Sequence, residues 1–231
     1  MTGLVFENQG TLDKYIGDAV MAFWGAPFEV DDHATSACNS ALKMMQRVRE
    51  MQRQWQAQGK PQLDIGIGLN SGVASVGNMG SALRYGYTAL GDTVNLSSRL
   101  EGLNKDYGTH IIVNETTYAA TQQAQFVYRE LDLIRVKGKT HPVMIYELIG
   151  RVGEETLYGS IADVQSRLEQ FARGRTLYRA RRWEKAQQLF QIMIDQWPND
   201  GPARTYWKRC QEYLFDEPPS GWDGVFTMTH K

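Results

Sequence analysis

Hydrophobic and polar positions change their period several times along the chain, and each change marks an element. Between Gly10 and Trp24 apolar residues flank a Gly17-Asp18 pair, and residues 19–24 form a continuous apolar run, which together predict a tight hairpin. Asp31-Asp32-His33-Ala34 is a helix-start signal. From there Ala37, Ala41, Met44, Met45, Val48 and Met51 recur at three-and-four spacing. They predict one helix to about Gln58, ended by Gly59-Lys60-Pro61. Residues 63–69 and 72–77 read as strands, and Asp92 as the N-cap of a helix from Thr93 to about Lys105, stopped near Gly108. Strand-like runs follow at 110–113, 126–136 and 143–149. Helices interleaved with about six or seven strands define an α/β fold.

Beyond Gly150 the texture changes. Residues 151–159 have the composition of a linker, and 160–216 are rich in Arg, Gln, Ala and Leu with few glycines. Gly174, Ala186, Phe190 and Pro198 stand at offsets of 12, 16 and 24, the spacing of small, aromatic and terminating positions in a tetratricopeptide unit. Leu177, Tyr178 and Trp183 supply apolar packing, and a third helix is expected from Gly201 to Phe215. A plain helical hairpin explains the same spacing. One unit falls short of a stable solenoid, so it reads as a small all-α appendage. Residues 217–231 read as an irregular tail.

Composition narrows the class. The 231 residues carry 25 Lys and Arg against 26 Asp and Glu, so no charge excess draws the chain to a nucleic acid polymer or anionic lipid. The longest apolar stretch, Ala19 to Phe28, is interrupted by Gly25 and Pro27 and falls short of the ~20 residues that span a bilayer. Cys38 and Cys210 are far apart without CxxC spacing, and the first residues show no secretion signal. A cytoplasmic protein without a membrane segment is expected.

Three places hold candidate chemistry. Asp18 at a hairpin turn can present a carboxylate to a divalent cation, although an ordinary turn is the commoner reason for Gly-Asp. Asn95 and Arg99 lie four apart and share a face of the helix that begins at Asp92, near its positive end, where an amide and a guanidinium suit a phosphoryl group. A solvated helix face with Arg99 paired to an acid fits the same spacing. Val136-Lys137-Gly138-Lys139 at a strand end suits a polyphosphate, or is a basic turn at a sheet edge. Neither a Walker loop nor a GxGxxG opening a helix is present.

The string Gly10-Thr-Leu-Asp-Lys-Tyr-Ile-Gly-Asp-Ala-Val-Met-Ala-Phe-Trp-Gly-Ala-Pro27 closely resembles the central motif of class III adenylyl/guanylyl cyclases. Three further blocks match in order: Gly66 to Gly72 with Gly77-Asn-Met-Gly80, Tyr87 to Glu101, and Val136 to Lys139. The likeness covers residues 1–150. It implies a ferredoxin-like α/β core that pairs head to tail as a homodimer, with two shared sites for a nucleoside triphosphate. By match of position it implies that Asp18 holds metal, two Mg2+ or Mn2+ ions per site. It further implies that Lys14 and Thr88 read the purine, Asn95 orients the ribose, Arg99 stabilises the transition state and Lys137 contacts the terminal phosphates. A Lys–Thr pair is similar to that of cyanobacterial and bicarbonate-responsive adenylyl cyclases, which makes ATP the expected substrate.

The chain also departs from the family pattern. Members open this domain with a strand carrying the first metal carboxylate, in a motif like Phe-x-Asp-Ile-x-Gly-Phe-Thr, and nothing similar precedes Gly10. The expectation is therefore a fold lacking its first strand and helix, with one metal ligand missing. Such a chain reads as a fragment of a longer adenylyl cyclase, with little activity alone. A cyclase-like dimerisation or regulatory module, partnering a full-length cyclase, is the alternative, and the helical appendage is a candidate docking module for a protein partner.

Overall fold

The computed structural model describes residues 1–81, 84–135 and 141–227, Arg84 by its backbone alone. The chain is mixed α/β and forms two compact units, Met1–Gly102 with His110–Gln123, and Leu103–Thr109 with Ala124–Lys231. Among the described residues no helix is long and apolar enough to cross a membrane.

In the first unit α1 (Thr2–Glu7) leads into the hairpin β1 (Thr11–Ile16) and β2 (Ala19–Phe23). Its turn uses Gly17 at φ +63°, a region glycine enters without a Cβ clash. The pairing is not regular: Leu12 opposes Ala22 and Lys14 opposes Met21, so Asp13 is the extra residue of a bulge. The long helix α2 (His33–Ala57) begins at Asp32 as expected, but that carboxylate makes no cap and accepts from Gln122 Nε2 at 2.6 Å instead. Its buried stripe is Ala34, Ala37, Cys38, Ala41, Met45 and Val48, with Met44 and Met51 half-buried beside it.

The strand expected at 63–69 shortens to β3 (Ile67–Leu69), because Leu63 is exposed and Asp64 pairs with His110 Nδ1 at 3.4 Å rather than joining a ladder. The strand expected at 72–77 shifts to β4 (Ser75–Ser81). It pairs with β5 (Arg84–Leu90), a strand the sequence reading did not contain, with Gly77 opposite Thr88. Glycine, serine and asparagine leave β4 without apolar alternation, so pairing rather than pattern defines it. Helix α3 (Asp92–Tyr107) follows, then the fully buried β6 (Ile111–Asn114), parallel to β3, and α4 (Glu115–Ala120). Asn114 caps α4 through Oδ1, which accepts from the Thr117 amide at 3.0 Å.

Gly68 fixes how closely α3 lies on β3. A Cβ there would stand 2.3 Å from both the Ser97 carbonyl oxygen and the Glu101 nitrogen, and the Ser97 hydroxyl donates to the Gly68 carbonyl at 2.8 Å. The helix that carries Asn95 and Arg99 thus rests against bare backbone.

The second unit contains β7 (Phe126–Arg135), β8 (Val143–Arg151), α5 (Ile161–Arg179), α6 (Trp183–Gln196), α7 (Gly201–Phe215) and β9 (Phe226–Thr227). Strand β7 runs antiparallel to β8 and parallel to β9, a mixed sheet. The tail expected to be irregular therefore adds a short strand, tied by Arg135 to Asp223 at 2.9 Å. The texture change at Gly150 falls inside this unit. The stretch expected as a linker is packed: Thr156 is buried and bridges to Gly159, and Tyr158 hydrogen-bonds Glu147 while the Arg167 guanidinium lies 4.6 Å from its ring centre. The three helices enclose an aromatic core of Phe171, Tyr178, Trp183, Phe190 and Tyr206.

Buried charges bind these helices to β7. Arg129 reaches both oxygens of Asp200 at 2.9 and 2.8 Å and Glu147 at 2.8 Å, while Asp200 caps α7 by accepting from the Ala203 amide at 3.0 Å. Arg209 of α7 donates to Asp132 at 2.6 Å and to the Tyr107 hydroxyl at 3.0 Å. Burial works against the charge on Arg129, but the carboxylates of Glu147 and Asp200 outweigh it and hold its pKa above the ordinary value.

Two stability measurements test this packing. Gly68→Ala should lower the urea-unfolding free energy by at least about 1–3 kcal/mol through overpacking. Gly102→Ala, on the same helix with open space at its Cβ, should raise it by up to about 1 kcal/mol. Asp200→Ala strands the buried Arg129 and should cost about 3–5 kcal/mol. Glu130→Ala removes a half-exposed partner of Arg175 and should cost far less.

Candidate active site

Lys14 of β1 and Thr88 of β5, 74 residues apart, meet: the Lys14 ammonium donates to Thr88 Oγ1 at 2.7 Å. A third group joins them. The Thr88 hydroxyl donates to Asp13 Oδ2 at 2.6 Å, the Ala89 amide donates to the same oxygen at 3.2 Å, and Lys14 Nζ lies 2.9 Å from Asp13 Oδ1. The bulge explains how adjacent charged residues serve one cluster. On a regular strand Asp13 and Lys14 would face opposite sides, whereas the extra residue at 13 lets both reach the Thr88 hydroxyl, the Asp13 side chain with no exposed surface and Lys14 about half exposed. Burial pushes the Asp13 carboxyl upward, but hydrogen bonds from Thr88, Lys14 and Ala89 outweigh that and hold it below the usual carboxylate range. Asp13 is ionised at neutral pH.

Sequence reasoning missed Asp13. The signal available was the run Leu12-Asp13-Lys14 in an apolar hairpin, where two neighbouring charges cannot both face solvent without a break in the alternation. A second aromatic contact ties the hairpins, with Phe23 and Tyr87 ring centres 6.0 Å apart.

The other expected residues are displayed rather than clustered. Asp18 sits exposed at the β1–β2 turn, and Asn95 and Arg99 are exposed on α3. No ion pair holds the Arg99 guanidinium among the described residues. Among the described residues these three make no hydrogen bond or ion pair with Lys14 or Thr88. Lys137 lies outside the described residues. For metal, Asp18 offers a hard carboxylate oxygen of the right chemistry. Among the described residues no group of three or more His, Cys, Asp or Glu could hold an ion.

Comparison with known proteins places this arrangement. Residues 4–150 match the family described as the adenylate and guanylate cyclase catalytic domain, and the chain belongs to that family. It is 38% identical over 149 residues to Adenylate cyclase 1 of Rhizobium meliloti (strain 1021), covering 64% of this chain and 22% of that protein. Among solved structures it is similar to the adenylyl cyclase CyaB from P. aeruginosa, with a TM-score of 0.58 and 32% identity over 64% of this chain and 76% of that one. It resembles the guanylyl cyclase Cya2 equally, with a TM-score of 0.58 and 31% identity over 66% of this chain and 76% of that one. The chain spans only 10–28% of the length of the first three curated relatives it matches. Backbone likeness therefore defines the class and leaves the base to the side chains.

Proposed function

We propose that this chain forms part of an adenylyl cyclase, a phosphorus–oxygen lyase that makes cyclic AMP and pyrophosphate from ATP at a site shared by two subunits. The observation that carries this reading is the Lys14–Thr88 hydrogen bond. It supports the Lys–Thr subgroup: an ammonium proton can go to an adenine ring nitrogen while the hydroxyl accepts from the exocyclic amine. Guanine presents a carbonyl and a protonated ring nitrogen there, and each mismatched buried polar pair costs on the order of 1–3 kcal/mol.

The remaining roles follow by match of position. Asn95 orients the ribose, and its 3′-hydroxyl attacks the α-phosphorus in line as the bond to pyrophosphate breaks. Arg99, exposed and without an ion-pair partner among the described residues, meets the charge that grows on the equatorial oxygens. Lys137 contacts the terminal phosphates. Members of this class use divalent cations, Mg2+ or Mn2+, and Asp18 is the ligand this chain offers. A homodimer is favoured by the exposed apolar side chains Tyr15, Ile16, Val73, Tyr85 and Leu90 on the first unit.

A second reading is a cyclase-like dimerising or regulatory module without turnover. The helices after residue 160 read as a tetratricopeptide-like unit that could dock a protein partner. Gly174 supports this, because a Cβ there would stand 2.6 Å from the Phe190 ring, the small-against-aromatic contact of such a unit.

The 231-residue chain with ATP and Mn2+ should make little or no cyclic AMP, because one carboxylate cannot readily hold two cations about 3.5–4 Å apart. Robust activity would sink the one-ligand argument. In a chain extended by the family's first metal-bearing strand, Asp18→Ala and Arg99→Ala should each be inactive alone. Mixed, they should recover toward about a quarter of wild-type activity, since half the dimers then hold one intact site. No recovery despite demonstrated subunit exchange would refute the shared site.

A further inference from the structure

The base-reading pair does not stand alone, and its third member decides what it can read. A hydroxyl has one proton and two lone pairs. At Thr88 the proton goes to Asp13 Oδ2 and one lone pair takes a Lys14 proton, which leaves a single lone pair. Lys14 has three protons; one goes to Thr88, and its ammonium forms an ion pair with Asp13 Oδ1 at 2.9 Å, which leaves at least one donor. We propose that Asp13 is a specificity-setting positioning residue, which takes the Thr88 hydroxyl proton and so leaves the pair one free acceptor beside a free donor.

That pattern complements the amine and unprotonated ring nitrogen of adenine and opposes the carbonyl and protonated ring nitrogen of guanine. Without Asp13 the Thr88 proton is free to turn outward, and a donating hydroxyl matches the guanine carbonyl. The inference rests on the reading of Lys14 and Thr88 as the base-contacting pair. It adds that their polarity is imposed from behind, by a carboxylate that touches no nucleotide. The geometry favours a fixed role. The Asp13 side chain has no exposed surface, and the Ala89 amide holds the same oxygen that accepts from Thr88, so the carboxylate is kept from swinging away to solvent. Its depressed pKa keeps it an acceptor at neutral pH.

The test is equilibrium binding of ATP and GTP to the 231-residue chain with Mg2+, by competition against a fluorescent ATP analogue. The wild type should prefer ATP by about tenfold or more. Asp13→Asn keeps the volume, but its amide either drives Lys14 away or donates to Thr88 and releases the hydroxyl proton. It should lower the ATP:GTP ratio about tenfold while GTP binds as well as before or better. In a Thr88→Val background Asp13→Asn should change the ratio no further, because the two act through one hydroxyl. A carboxylate that only supports the hairpin would weaken both nucleotides alike, and that result, or an unchanged ratio, overturns the proposal.

The underlying reading fails separately. If Lys14→Ala and Thr88→Val leave the ratio unchanged, or the wild type binds neither nucleotide, the base-reading assignment falls and this inference with it. A measurement without variants tests Asp13 directly: the Thr88 hydroxyl proton of the wild-type chain should be a slowly exchanging NMR resonance. A hydroxyl exchanging at the rate of an exposed threonine overturns the proposal.

Discussion

A carboxylate with no exposed surface persists in its charged form only where donors surround it, and the first unit supplies those donors from two hairpins. Asp13 takes a hydroxyl and an amide from β5 and an ammonium from its own strand. The bulge at residue 13 is what makes this possible, since it lets two consecutive residues of β1, a buried acid and a half-exposed lysine, meet at one hydroxyl. The same interaction anchors one hairpin to the other and sets the positions of Lys14 and Thr88. Local backbone irregularity, buried charge and candidate chemistry are here one feature.

The second unit uses buried charge for a different end. Arg129, Arg175 and Arg209 join β7 or its neighbours to the helices, and each is met by an acid or a carbonyl. Burial of such pairs is a weak source of net stability, but losing one partner leaves an expensive orphan, so the arrangement tolerates few alternatives. Asp200 shows the coupling: one side chain neutralises Arg129 and caps α7. The helices are thereby fixed to the strands beside them by charge as well as by the aromatic core.

Much of this was legible in the sequence because it is written in periodicity. The α2 stripe repeats every three or four residues, the β1–β2 turn is marked by Gly17-Asp18, and α5, α6 and α7 fall within the region that composition marked as helical. What periodicity does not carry was missed. Strand β4 is glycine-rich and exists through its pairing with β5, and β3 starts late because Asp64 has a histidine partner outside any ladder. The motif match led to Lys14, Thr88, Asp18, Asn95 and Arg99, yet passed over Asp13 inside the same string. Motif positions name the groups expected to meet a ligand, whereas a buried neighbour that holds one of them, as Asp13 holds Thr88, is seen only in the folded structure.

The choice between two purines shows why such a residue matters. The backbone is as similar to an adenylyl as to a guanylyl cyclase, so neither the sheet nor the helices can distinguish the substrates. Discrimination must come from a few hydrogen bonds whose direction differs between the bases. A threonine hydroxyl is ambiguous in that respect, because it can donate or accept as it rotates. Ambiguity disappears once its proton has a fixed destination, and a buried, ionised carboxylate held by a backbone amide is such a destination. On the proposed reading the physical carrier of base choice is the position of one proton, and the bulge in β1 is the structural device that holds it.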